Sequence, residues 1–238
     1  MKLPKMIIFD YGHTLLSEPD WNAKRGDVEL LKYAIHNPNN YTADDIEKAV
    51  ELIWGYANDV RKIGYDINAQ VVNKTLYEYL DIKLSLSPLQ AETVFWDAAS
   101  NGAVMPSADI MIDYINENDI RSAVISNIAW SGEALKQRID RLLPNNKFEF
   151  VMASSDYFVR KPNRVLFDIA LNKAGLEASE VWYCGDSIDN DIFGANNVGI
   201  TPVWYNSEKN LSIPQCEHLK IENWKEFIEI LELIKRGK

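Results

Sequence analysis

From about Val104 onward the chain alternates short apolar runs with amphipathic stretches, and this alternation constrains the fold more than any other feature. "IRSAVIS" (120–126), "FEFVMAS" (148–154), "EVWYCGD" (180–186) and "TPVWYN" (201–206) read as strands. "GEALKQRIDRLL" (132–143), "RVLFDIALNKAG" (164–175), a short "DNDIFGANNVG" (189–199) and the C-terminal "WKEFIEILELIKRGK" read as helices. Strands that are apolar on both faces and joined by helices pack as a parallel sheet covered on both sides. The opening "MIIFD" has the same character as those later strands. The predicted fold class is therefore α/β, with a first strand far removed in sequence from its partners.

The intervening stretch reads almost entirely as helix. "YTADDIEKAVELIWGYANDVRKIG" has Thr42 as N-cap, acids in its first turn, apolar residues at helical spacing from Ile46 to Val60, and Gly64 just past its end. "NAQVVNKTLYEYL" follows, and "SPLQAETVFWDAA" opens with Ser87 as cap and Pro88 at the first helical position. The expected organisation is a discontinuous core, residues 1–17 and 101–238, interrupted by an all-helical insert at 18–100. Trp54, Phe95 and Trp96 are expected in the core of that insert.

With 35 acidic against 25 basic residues the net charge is −10, which argues against nucleic-acid binding. No run approaches the length of a membrane span, and the N-terminus lacks the long apolar stretch of a signal peptide. Neither Cys184 nor Cys216 suggests a disulfide framework or a zinc site, so a cytoplasmic location is expected. Nothing in the sequence speaks to oligomeric state.

In open α/β sheets ligands bind at the carboxyl ends of the strands. The polar residues at those ends are Asp10 and His13, then Ser126 and Asn127, then Arg160 and Lys161, then Asp186, Asp189 and Asp191. Clustered carboxylates repel one another unless a cation holds them. Hard oxygen donors suit Mg2+, which is commonly completed by phosphate oxygens. A lysine beside it can hold a further phosphate oxygen, and Ser126 and Asn127 can donate to the same group. The set describes a site for a transferring phosphoryl group, with Asp10 as nucleophile. Arg160 is expected at the surface, and Asp189 or Asn190 as a helix cap.

These residues fall in four ordered stretches: "FDYGHTLL", "VISN", "VRKPNRVLFDIAL" and "YCGDSIDNDIFGANNVG". Together they resemble the haloacid dehalogenase superfamily, in the branch with a helical cap after the first motif. The resemblance implies a Rossmann-like core and a cap that closes over the site and selects the substrate. It implies Asp10 as nucleophile and metal ligand, with the Gly12 carbonyl and Asp186 as further ligands. Asp191 would lie near the metal, and Ser126 and Lys161 would bind the phosphoryl group. The implied activity is Mg2+-dependent hydrolysis of a small phosphorylated metabolite.

One position departs from the pattern. Phosphatases of this superfamily carry a second aspartate two residues after the nucleophile, as general acid and base; here it is Gly12. Three alternatives stay open. Another group substitutes: His13, with an intrinsic pKa suited to proton transfer, or His36 or a carboxylate of the insert. Or the chemistry differs. Dehalogenation would call for a bulky aromatic at position 12. Phosphonate C–P cleavage would call for a lysine of the insert as Schiff base, from among Lys24, Lys32, Lys48, Lys62 and Lys74, all of which read as solvated helix-face residues. Or the protein is a low-turnover phosphate-binding regulator.

Overall fold

A computed structural model of the chain describes residues 2–207 and 211–237. The chain opens with β1 (Met6–Phe9), and the short β2 (Leu16–Ser17) leads into a helical segment. That segment holds α1 (Ala23–Leu31), β3 (Ala34–His36), α2 (Ala43–Lys62), α3 (Ala69–Tyr79), β4 (Lys83–Leu84) and α4 (Pro88–Ala99). The chain returns through β5 (Ala103–Val104), α5 (Ala108–Glu117), β6 (Arg121–Ser126), α6 (Gly132–Leu142), β7 (Val151–Ala153) and α7 (Arg164–Ala174). It ends with β8 (Val181–Gly185), a π-helical turn (Ile188–Phe193) running into α8 (Gly194–Asn196), then β9 (Thr201–Tyr205), β10 (Leu219–Ile221) and α9 (Trp224–Lys235).

Six strands form one parallel sheet in the order β10-β9-β8-β1-β6-β7. β1 lies at its centre, with Phe9 level with Val124 of β6 and Cys184 of β8. Asp10, Ser126 and Asp186 therefore emerge side by side at one edge, where the strand order changes direction. All four residues of β1 are fully buried because both faces are covered. Ile7 and Phe9 pack with Met111, Ile112, Leu135, Ile139, Trp224 and Phe227 from α5, α6 and α9. Met6 and Ile8 face the other way, towards Leu166, Phe167 and Ala170 of α7.

The helical segment has its own apolar centre, including Leu30, Ile46, Leu76, Tyr77 and Ala91. The expected caps form: Thr42 makes a capping box with Asp45, and Ser87 makes one with Gln90. The segment leaves and returns at one place, since β2 pairs antiparallel with β5. It is also pinned to the sheet by three carboxylates in polar contacts. Glu18 accepts from Arg138, Tyr11 and Trp96. Glu92 accepts from the Ser131 hydroxyl at 2.5 Å and its N–H at 2.9 Å. Asp66 accepts from Ser154 at 2.6 Å and pairs with Arg61 at 3.0 Å.

Several elements differ from the sequence reading. Helix α5 and strand β10 carry no part in the alternation described above; β10 is a three-residue edge strand, too short for a pattern. β7 keeps only three of the seven expected residues: residues 148–150 precede it outside the sheet, and Ser154 turns off into a 3-10 helix, held by Asp66. The 189–199 helix starts one residue earlier, and its N-cap is Ser187 rather than Asp189 or Asn190. Among the described residues no helix is long and apolar enough to cross a membrane.

Candidate active site

The loop after β1 is a tight reversal. Leu15 and Leu16 both donate backbone N–H bonds to the Tyr11 carbonyl at 3.0 Å, and the His13 N–H donates to Leu16 at 2.8 Å. His13 takes the left-handed conformation at its apex, with φ of 54°. The turn holds Asp10 at the floor of a pocket of about 360 Å³, which Gly12, His13, Ser126, Asn127, Lys161, Asp186 and Asp191 also line. Asp10, Gly12, His13, Ser126, Asn127, Lys161, Asp186 and Asp191 thus reach one cleft, while Asp189 does not line it.

Lys161 is buried at the centre of this arrangement. Its ammonium lies 2.6 Å from Asp10 Oδ1, 2.7 Å from Asp191 Oδ1, 2.7 Å from the Tyr183 hydroxyl and 3.0 Å from the Ile125 carbonyl. An ammonium has three protons. The Tyr183 hydroxyl serves the Ile125 carbonyl itself, donating at 3.0 Å. Burial by itself pushes the Lys161 pKa down, but Asp10 and Asp191 more than offset it, and the group stands above its ordinary value.

The carboxylates show the opposite strain. Burial, reinforced by Asp191, pushes Asp10 up to about 7 despite Lys161. Burial and Asp191 push Asp186 up to about 6, with His13 and Lys161 pulling it back. One oxygen each of Asp10, Asp186 and Asp191 lie within 4.8 Å of one another. Such crowding of hard oxygen donors fits a divalent cation with oxygen ligands. Asp191 is the most occupied of the three, since its Oδ2 also accepts from the Ser187 N–H at 3.0 Å. Gly185 makes room for it: a Cβ at that position would collide with the Asp191 carboxyl group.

Other expected roles change. The Asn127 amide commits one of its two N–H donors to the protein. It donates to the Lys161 carbonyl at 2.9 Å and accepts from the Lys161 N–H at 2.8 Å, so it holds the lysine loop in place. Arg160 is not a surface residue: it is partly buried, lies 3.5 Å from Asp66 and lines the pocket. His36 pairs with Asp81 at 3.1 Å on the β3–β4 ribbon and does not line the pocket. Lys24, Lys32, Lys48, Lys62 and Lys74 are exposed and each pairs with a surface carboxylate. None of them lines the Asp10 pocket, so no Schiff-base lysine is brought to it. His13 is exposed at the pocket rim.

A second cavity, of about 420 Å³, continues from the first through Asn127, Ile128 and Arg160. Trp54 and Phe95 line it, and Phe95 also packs against the core of the insert as expected; Trp96 is buried, but in the apolar cluster that Phe9, Tyr11 and Leu135 form with the sheet. Trp130 and Tyr183 are functional candidates that the strand-end rule missed. Trp130 lies a few residues beyond the end of β6, within reach of a wider search. The Tyr183 hydroxyl sits on an apolar strand and carries no sequence signal.

The sequence profile of the haloacid dehalogenase-like hydrolases matches residues 7–205. The chain is 30% identical over 208 residues to a pyrimidine 5′-nucleotidase of Escherichia coli, covering 84% of this chain and 85% of that protein. It is 39% identical over 213 residues to a glyceraldehyde 3-phosphate phosphatase of Methanopyrus kandleri, covering 84% and 82%. In fold it is similar to a 2-haloacid dehalogenase of Pseudomonas syringae, with a TM-score of 0.67, 17% identity and coverage of 98% and 99%.

Proposed function

The chain belongs to the haloacid dehalogenase-like hydrolases, and from that premise we propose that it is a Mg2+-dependent phosphatase of a small phosphorylated metabolite, working through an aspartyl-phosphate on Asp10. One observation carries the reading. A buried lysine bridges Asp10 and Asp191, and Asp186 completes a three-carboxylate cluster at the same strand ends. The curated relatives named above, a nucleotidase and a sugar-phosphate phosphatase, support the same class. Retention of all three acids speaks against metal-free dehalogenation.

In this reading an Asp10 carboxylate oxygen attacks phosphorus, and the bond to the leaving oxygen breaks as the Asp10 O–P bond of an acyl phosphate forms. Water then attacks phosphorus, releasing inorganic phosphate and restoring the carboxylate. Lys161 keeps positive charge beside the nucleophile. Ser126 donates to a phosphoryl oxygen, and Asn127 holds the Lys161 backbone so that the ammonium stays in place. Asp10, Asp186, Asp191 and the Gly12 carbonyl would hold the Mg2+, which would withdraw charge from the phosphoryl oxygens. Residues 18–100 act as a cap over the core formed by 1–17 and 101–238. The leaving oxygen takes its proton from solvent or from His13, or leaves without one. Both cysteines are unpaired, which suits a reducing cytoplasm.

The test is release of phosphate from an activated aryl phosphate with Mg2+, and its loss on chelation. A wild-type chain inert on a broad ester panel would move the reading to a phosphate-binding regulator.

The cation also sets a pH-dependent stability. Asp10 and Asp186 have folded-state pKa values of about 7 and about 6, raised from 3.8. The folded apo chain therefore binds more protons than the unfolded one between these limits, and its stability falls as pH rises through 6–7. Mg2+ binds the ionised cluster, so its stabilisation is expected to be larger at pH 8 than at pH 5.5. Thermal unfolding with and without Mg2+ measures this. An equal increment at both pH values, or an undiminished one in Asp186→Asn, would count against the assigned ligands.

A further inference from the structure

The second cavity bears on what the enzyme accepts. Its walls include Trp21, Trp54, Tyr77, Phe95 and Trp130. Phe95 and Trp130 ring centres are 5.6 Å apart, and Trp21 lies 6.2 Å from Phe95 and 6.5 Å from Trp130. Gly26 of α1 makes this wall possible, since a Cβ there would stand 2.6 Å from the Phe95 ring. Trp54 lies apart from that cluster, with the Arg61 guanidinium 5.0 Å above it. The arrangement is large and flat-sided, and it begins where the phosphoryl pocket ends.

Asp27, on α1, lines the same cavity and is only 6% exposed. No hydrogen bond or ion pair to it is found among the described residues, in contrast to Asp66, Glu18 and Glu92, each of which has several. The Tyr77 hydroxyl beside it is likewise without a hydrogen bond. Burial, with Glu47 adding to it, pushes Asp27 up to about 7. Nothing among the described residues offsets that cost, whereas buried polar groups in folded proteins are ordinarily satisfied. A carboxyl oxygen in an aromatic cavity is a receptor for an N–H donor on a planar ligand.

We propose that this cavity holds the leaving group of the substrate, that the leaving group is a nucleoside, and that Asp27 accepts a hydrogen bond from an N–H group of its base stacked against the aromatic walls. The proposal rests on the phosphatase reading only for the fate of the phosphate; base recognition stands apart from it. An acyclic three-carbon sugar phosphate would leave the aromatic walls and Asp27 without contacts.

The experiment compares kcat/KM for cytidine 5′-monophosphate, phenyl phosphate and glyceraldehyde 3-phosphate in Mg2+ buffer, and follows binding of free cytidine by tryptophan fluorescence. Cytidine 5′-monophosphate is expected to exceed both other esters by roughly ten-fold or more, because a site built to hydrogen-bond a group rejects ligands lacking it. Asp27→Leu should lower its preference over phenyl phosphate by a similar factor, and Asp27→Asn, whose amide oxygen still accepts, should restore part of it. A preference for glyceraldehyde 3-phosphate, or an Asp27→Leu effect equal on both aromatic esters, overturns the proposal. If no ester is hydrolysed the phosphatase reading fails, yet cytidine binding and its weakening in Asp27→Leu still decide this one.

Discussion

Asp10→Asn is expected to reduce phosphate release to background, a loss on the order of 10⁴-fold or more, the scale seen when a covalent nucleophile is removed. The substitution is close to isosteric. Lys161 keeps its contacts with Asp191, Tyr183 and Ile125, so the buried ammonium is not left without a counter-charge. The apo fold should therefore survive, and the loss should lie in kcat. Steady-state kinetics beside a thermal melt measure both quantities. Retention of more than about a hundredth of the activity would mean that Asp10 only binds metal or phosphate, because general acid–base and electrostatic contributions alone are of that smaller size.

Gly12→Asp is expected to act in the opposite direction, raising kcat on alkyl phosphates by about 10²–10⁴-fold, the usual contribution of a placed general acid. The structure has room for it. A Cβ at position 12 meets no atom within 4 Å, and Gly12 is not among the glycines with positive φ. Esters with a good leaving group, such as nitrophenyl phosphate, should gain far less, because their departing oxygen needs no proton. That contrast identifies proton transfer as the altered step. A gain of the same size on both ester types would point instead to better metal binding. No gain on alkyl esters would mean that another group already protonates the leaving oxygen. His13, exposed at the pocket rim, would then be the first residue to replace.

Strand identity was legible because a strand covered on both faces must be apolar throughout, as Met6–Phe9 and Val181–Gly185 are. Helix starts were legible because caps such as Thr42 and Ser87 act through the backbone a few residues away. The candidate site was legible because Asp10, Ser126 and Asp186 stand at or just past the ends of such strands, and a parallel sheet aligns those ends. Each of these is set by neighbours close in the chain, or by a rule shared by every sheet of this kind.

The rest depended on contacts between distant segments. That Asn127 braces a backbone follows from the approach of the Lys161 loop, 34 residues on. Arg160 looks like a surface arginine until Asp66 comes to meet it. Trp54 and Phe95 have the helical spacing of core residues, and the packing of distant segments leaves both lining a cavity. The sequence by itself determined the α/β class, the strand end at which Asp10 stands and the glycine at position 12. The tertiary structure decided which polar groups are already satisfied and which, like Asp27, are not. Satisfaction of a buried group depends on what packs against it, and residue type and spacing do not carry that information.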